Sequence, residues 1–161
     1  MCSGRLWEGR RGYREIDKIP MSNKKINPTS LRIPTKAYSQ GILVPCGETE
    51  LLYITGQLPQ DIDGNIIHIG DVEQQARLVF SRLEAILSEA GMSFDNVVKI
   101  QIFLKNIDDS KIISSIRDEL LAVSKPASTM VEVSGFVKKD CLLEIDMIAA
   151  KSSNHPFSKN N

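Results

Sequence analysis

Glu144 and Asp146 stand two residues apart in the run Leu142-Leu143-Glu144-Ile145-Asp146-Met147 near the end of the chain. Residues at i and i+2 of a strand share a face, so the two carboxyls lie side by side. On a solvated face they simply carry charge. Lining a cleft, burial raises their affinity for protons, and one of them can trade a proton with a substrate or a water. The pattern leaves both readings open. Glu132 lies in another extended run and is expected on the same polar face. Tyr38, in Ala37-Tyr38-Ser39-Gln40, is a phenol beside a polar loop and by itself reads as a packing residue. The histidines are His68, in a loop and read as a surface residue, and His155, in the tail. A His-based triad or a His-rich metal site is therefore not expected. No Gly-x-Ser-x-Gly, His-Glu-x-x-His, Walker or Gly-x-Gly-x-x-Gly pattern occurs. Asp61, Asp63, Gly64 and Asn65 imitate a calcium loop, but the closing bidentate Glu is missing, so turn chemistry explains them better.

The elements that position these residues are readable from periodicity. Gly41–Val44 and Leu51–Gly56 are short apolar runs that read as a hairpin, with Pro45–Glu50 as its turn. A helix is expected over Val72–Ala90, because Val72, Ala76, Val79, Phe80, Leu83, Ile86, Leu87 and Ala90 form one stripe. Asp71 with Gln74 makes a capping box, Gly91 a C-terminal stop, and Glu73, Arg77, Arg82, Glu84 and Glu89 the exposed face. Val97–Leu104 alternates, with Val98, Ile100, Ile102 and Leu104 on one face. A second helix over Asp109–Val123 turns Ile112, Ile113, Ile116, Leu120 and Leu121 inward and ends before Pro126. Strands over Thr129–Ser134 and Leu142–Ala149 close the chain around a turn at Lys138-Lys139-Asp140. The order is β-β-α-β-α-β-β, an α+β fold with both helices on one face of a sheet. The other face is mixed rather than polar and predicts a homo-oligomer.

Composition narrows the function classes. The 161 residues include 42% hydrophobic and 25% charged, the size and balance of one globular domain. Lys+Arg and Asp+Glu are 20 each, so no net field draws the chain to nucleic acid or an anionic membrane. Arg5, Arg10, Arg11 and Arg14 make only a local basic patch. Cys2, Cys46 and Cys141 match no zinc spacing and fit a reducing, cytoplasmic setting. No apolar run approaches the roughly 20 residues of a membrane span. Residues 1–20, rich in Arg and Gly, read as a disordered extension or tag, with a basic targeting arm as the alternative; 21–151 is a single domain and 152–161 a polar tail.

Taken together and in order, several segments resemble the RidA/YjgF (L-PSP) family. They are Ala37-Tyr38-Ser39-Gln40, Leu52-Tyr53-Ile54-Thr55-Gly56-Gln57-Leu58-Pro59, Gly70-Asp71-Val72-Glu73-Gln74-Gln75, Val97-Val98-Lys99-Ile100, Phe103-Leu104, Val131-Glu132-Val133 and Leu143-Glu144-Ile145-Asp146-Met147-Ile148-Ala149. The match spans roughly 30–150. It implies a bacterial chorismate-mutase-like fold assembled as a trimer, with ligand clefts between subunits. It implies the hydrolysis of 2-imino acids such as 2-iminobutanoate to 2-keto acids and ammonia, without metal or organic cofactor. Some relatives carry the labels endoribonuclease or translation inhibitor, a role that zero net charge and the lack of stacking aromatics disfavour. Residue by residue, the resemblance gives Glu144 the positioning of water, Tyr38 the closing of the cleft, and backbone near Gly56 and Met130 the orientation of substrate.

Three departures bear on that activity. The family's Pro-Ala-Arg-Ser appears as Pro126-Ala127-Ser128-Thr129, so Ser128 stands where an arginine grips the substrate carboxylate. Ser110 and Ser114 stand where relatives have an aromatic and an asparagine, and the connection into Pro126 is several residues shorter. A charge-assisted hydrogen bond is worth about 1.5–3 kcal/mol, so activity is expected to be weak or altered. A small-molecule ligand other than an imino acid is the alternative. Lys125 is a point charge near Ser128, read as solvated.

Overall fold

The computed structural model describes residues 22–153. Its elements are β1 (Lys24–Ile26), β2 (Gly41–Cys46), β3 (Thr49–Gln57), α1 (Val72–Glu89), β4 (Val97–Leu104), α2 (Ser110–Leu120), β5 (Ala127–Glu132) and β6 (Leu143–Ser152). The strands form one six-stranded sheet in the order β1-β2-β3-β6-β4-β5. Only β4 and β5 pair in parallel, and α2 supplies the crossover that parallel neighbours need. β3 and β4 both run antiparallel to β6, which fills the space between them. The α+β class and the two helices on one face of a mixed sheet stand as expected. The three-residue β1, pairing with Gly41–Leu43, adds a strand at the N-terminal edge. The basic patch in residues 1–20, Cys2 and His155 lie outside the described residues. None of the described helices is long and apolar enough to cross a membrane.

β6 shows how the sequence sorts the two faces. Leu143, Ile145, Met147 and Ala149 are buried beneath the helices, whereas Glu144, Asp146 and Ile148 alternate onto the open face. Val79, Leu83, Ile86 and Leu87 of α1 and Ile113 and Ile116 of α2 close over the buried side. Truncating one such leucine to alanine costs about 2–5 kcal/mol. Asp71 caps α1 by accepting from the Gln74 backbone N–H through Oδ1 at 3.0 Å. Gly91 ends the helix at φ +66°, a left-handed conformation that glycine adopts without penalty.

Several sequence expectations change: β5 begins and ends two residues earlier than expected, and α2 stops three residues short of Val123. Pro45 lies inside β2, not in the turn; β1 pairs only as far as Leu43, so Pro45 sits on an edge where a missing N–H costs little. A register shift between Val97 and Lys99 turns Val98 out and Val97 into the core. Ile112 is 40% exposed, because α2 presents Ile113 and Ile116 to the core instead. Arg82, expected on the exposed face of α1, is only 4% exposed.

Candidate functional site

Glu144 owes its position to a break in the sheet. The β3–β6 register shifts between Ile54 and Gln57, and Gly56 lies within that irregularity. The Glu144 side chain lies against Gly56 so closely that a methyl group there would overlap its carboxylate. Gly56 is thus required by close approach rather than by a special dihedral. Glu144 is half-buried, and burial, with the neighbouring Asp146 charge second, raises its carboxyl above the usual range. Burial also raises Asp146, while the Lys99 ammonium opposes the shift. The two carboxyls do share one face, beside Phe103 and Gln101 of β4. A carboxyl that keeps its proton nearer neutrality is suited to proton transfer.

Tyr38 is 55% exposed. With Ser39, Tyr53 and Thr55 it lines an open cavity of about 710 Å³, which Lys25 and Lys36 also edge. Thr55 is the residue before Gly56, so Tyr38 and Glu144 belong to neighbouring parts of the same open face.

The remaining predicted residues lie elsewhere. Ser128 and Met130 pair with Ile100 and Ile102, which places them on the helix side of the edge strand β5. Ser114 is half-buried on α2, and Met130 packs partly into the core. Glu132 pairs with Leu104 on that same side and accepts from the Ile107 N–H at 2.9 Å, so it does not join Glu144 and Asp146. The cause is strand parity: Glu132 is in step with Ile102 and Leu104, which face the helices. The predicted residues therefore fall into two separate groups within one chain, Glu144 against Gly56 on the open face with Tyr38 farther along it, and Ser114, Ser128 and Met130 at the α2–β5 edge.

Two arginines escaped sequence reasoning. Arg117, one turn beyond Ser114, donates from Nη1 to Ser128 Oγ at 3.2 Å. Its Nε and Nη2 donate to Asp118 Oδ1 at 2.9 and 2.8 Å. Arg117, Lys125 and Ser128 line a cavity of about 360 Å³ with Leu121 and Pro126. The i, i+3 spacing from Ser114 was the only available signal. Buried Arg82 donates to the Gln60 carbonyl at 3.0 Å and to Gln57 Oε1 at 3.3 Å. Its Nε has no partner among the described residues. Burial lowers its pKa, and nearby Tyr38 offsets part of the effect.

Asp61 accepts from the backbone N–H groups of Asp63 and Asn65 at 3.0 and 2.8 Å, so its loop is closed by turn chemistry. The Asn65 backbone bond is the leading cause of a lowered Asp61 pKa. His68 is exposed, at φ +54°. Cys46 and Cys141 are free thiols, and burial pushes Cys141 up to about 11. Among the described residues no group of His, Cys, Asp and Glu could hold a metal ion.

Comparison with known proteins agrees with the fold and the arrangement of motifs. Residues 29–151 match the family model described as Endoribonuclease L-PSP. A RutC family protein of Pyrococcus abyssi is 37% identical over 118 residues, covering 73% of this chain and 89% of that protein. The protein named 3-aminoacrylate deaminase RutC of Acinetobacter baylyi is 36% identical over 99 residues, covering 62% of this chain and 78% of its own. The crystal structure of YyfA from Yersinia pestis, a Rid family protein of unknown function, matches with a TM-score of 0.71 at 32% identity, covering 80% of this chain and 98% of that one. The chain belongs to the endoribonuclease L-PSP family, that of the RutC and Rid proteins.

Proposed function

We propose that the protein is a hydrolytic deaminase of small imine or enamine carboxylates, acting in clefts between the subunits of a homotrimer. The reading is carried by the Glu144 carboxyl, seated on Gly56 and raised above its usual pKa by burial. The name of the Acinetobacter relative supports an enamine carboxylate as substrate. In this mechanism protonated Glu144 delivers its proton to the enamine carbon and leaves an iminium ion. As a carboxylate it then takes a proton from the water whose oxygen adds to the C=N carbon. That proton passes to nitrogen, the C–N bond breaks, and ammonia departs. The hydroxyl proton returns to Glu144 as the carbonyl forms. Tyr38 closes the cleft, and Ser114, Ser128 and Met130 enter from the neighbouring subunit's edge strand and α2. Zero net charge favours a small molecule over nucleic acid, and the free Cys46 and Cys141 fit a cytoplasmic setting.

Ser128 favours a second reading, a ligand-binding protein without turnover. Freshly generated 2-iminobutanoate, followed as it becomes 2-oxobutanoate, separates the two. The deaminase reading expects a rate above buffer that falls about 10²- to 10⁴-fold in Glu144→Gln. A wild-type rate equal to buffer removes it and leaves the ligand-binding reading.

A further inference from the structure

We infer that Arg117 is the anion anchor of this protein and that the cavity between α2 and β5 takes the carboxylate of a small organic acid; the inference rests on, and sharpens, the reading of the site as a small-carboxylate cleft. Arg117 projects from the last turn of α2, and its side chain is 24% exposed. A guanidinium carries five N–H donors. Nε and one donor of Nη2 go to Asp118, and one donor of Nη1 goes to Ser128. Among the described residues, each terminal nitrogen keeps one further donor. Two donors on the two ends of a planar fork match the two oxygens of a carboxylate.

The surroundings fit an anion with an apolar body. Leu121 and Pro126 supply apolar wall, and Lys125 brings a second cation to the same cavity, against the one carboxylate of Asp118. The corner that presents Lys125 is fixed in an unusual shape. Lys125 sits at φ +43°, donates its backbone N–H to the Leu121 carbonyl at 3.0 Å, and directly precedes Pro126. A non-glycine residue held in that conformation is strained. The volume of about 360 Å³ suits a small metabolite. Asp118, 67% exposed, holds the guanidinium on one side only, and an exposed pair of this kind is weak. Ser128 fits the same logic: its hydroxyl receives the guanidinium, where a second arginine would repel it.

The test is titration of the full-length protein with 2-oxobutanoate by calorimetry, with 2-butanone as the uncharged control. Wild type is expected to bind the acid and not the ketone. Arg117→Met is expected to weaken binding about 10- to 150-fold, and Arg117→Lys to recover part of it. Asp118→Asn is expected to tighten binding about two- to fivefold, a gain that a purely structural arginine would not produce. Circular dichroism of each variant separates lost binding from lost fold, and Asp118→Asn tests the anchor even if Arg117→Met unfolds. Undetectable binding by wild type, unchanged affinity in folded Arg117→Met, or no gain in Asp118→Asn overturns the inference. Binding without imine hydrolysis leaves the anchor standing and removes the deaminase reading. Hydrolysis indifferent to Arg117→Met does the reverse.

Discussion

Glu144 pairs a catalytic opportunity with a cost in stability. Its carboxyl is raised by burial and by Asp146, so the folded state holds that proton more tightly than the unfolded chain does. The sign follows directly. A raised carboxyl contributes stability below its unfolded value, and that contribution disappears as pH rises through the folded value. Glu144→Gln is therefore expected to match wild type near pH 4 and to be the more stable of the two at about pH 7. The group is half-buried and partly screened, so the gain is held to about 1 kcal/mol or less. For a domain of this size that is about 2–4 °C in thermal midpoint. Melts of both proteins across this range decide it; a midpoint difference that does not change with pH, or that favours wild type at neutrality, contradicts the assignment. The same residue was legible early as a member of an alternating pair. Its burial was not, because that depends on Gly56, far away in the chain.

At the scale of elements, the irregular end of β3 shapes the site. Leaving Glu144 room requires the bare backbone of Gly56, so Gly56→Ala is expected to cost about 1–3 kcal/mol by overpacking. The three nearest atoms that a new methyl would meet all belong to Glu144. The cost should therefore largely vanish in a Glu144→Ala background, a coupling that urea melts of the four proteins of the cycle measure directly. Equal costs in both backgrounds would mean that Gly56 is required by its backbone conformation instead. Periodicity made the long elements legible: β4 falls at the expected residues and α1 within one of them, because their apolar repeats are long and regular. It failed where a local irregularity changes the phase. The shift at Val97–Lys99 turned Val98 outward. Arg82 was misread because its charge was weighed above its spacing; three residues after Val79 and four before Ile86, it lies on the buried stripe. The Arg117–Ser128 contact joins a helix to a strand, and no spacing rule within either element reports it.

At the scale of the whole molecule, the proposed cleft requires a second copy of the chain. The residues that the proposed chemistry uses lie on opposite sides of the sheet, Glu144 on the open face of β6 and Ser128 on the helix side of β5. The fold of a single copy does not bring them together, whereas an edge strand laid against a neighbour's open face could. That face is suited to burial: Ile42, Tyr53 and Ile148 form a row across β2, β3 and β6, and Tyr53 is 47% exposed. In the proposed trimer this row is the surface that a neighbouring subunit covers. Sequence alternation gave only a mixed open face; the row itself depends on strand register, which no single element encodes. Tyr53→Asp tests the assembly without touching Glu144, Arg117 or the helix-side core. In a monomer the change is a surface substitution of little consequence. In a trimer it drives an unpaired carboxylate into a dry interface, at a cost of several kcal/mol. Light scattering should give wild type three times the mass of the 17.9 kDa chain, and the variant a mass shifted toward one chain, with imine hydrolysis lost in parallel. A wild type that stays monomeric at micromolar concentration yet turns over substrate would place both halves of the chemistry within one subunit. Glu144 would then have to work without Ser128.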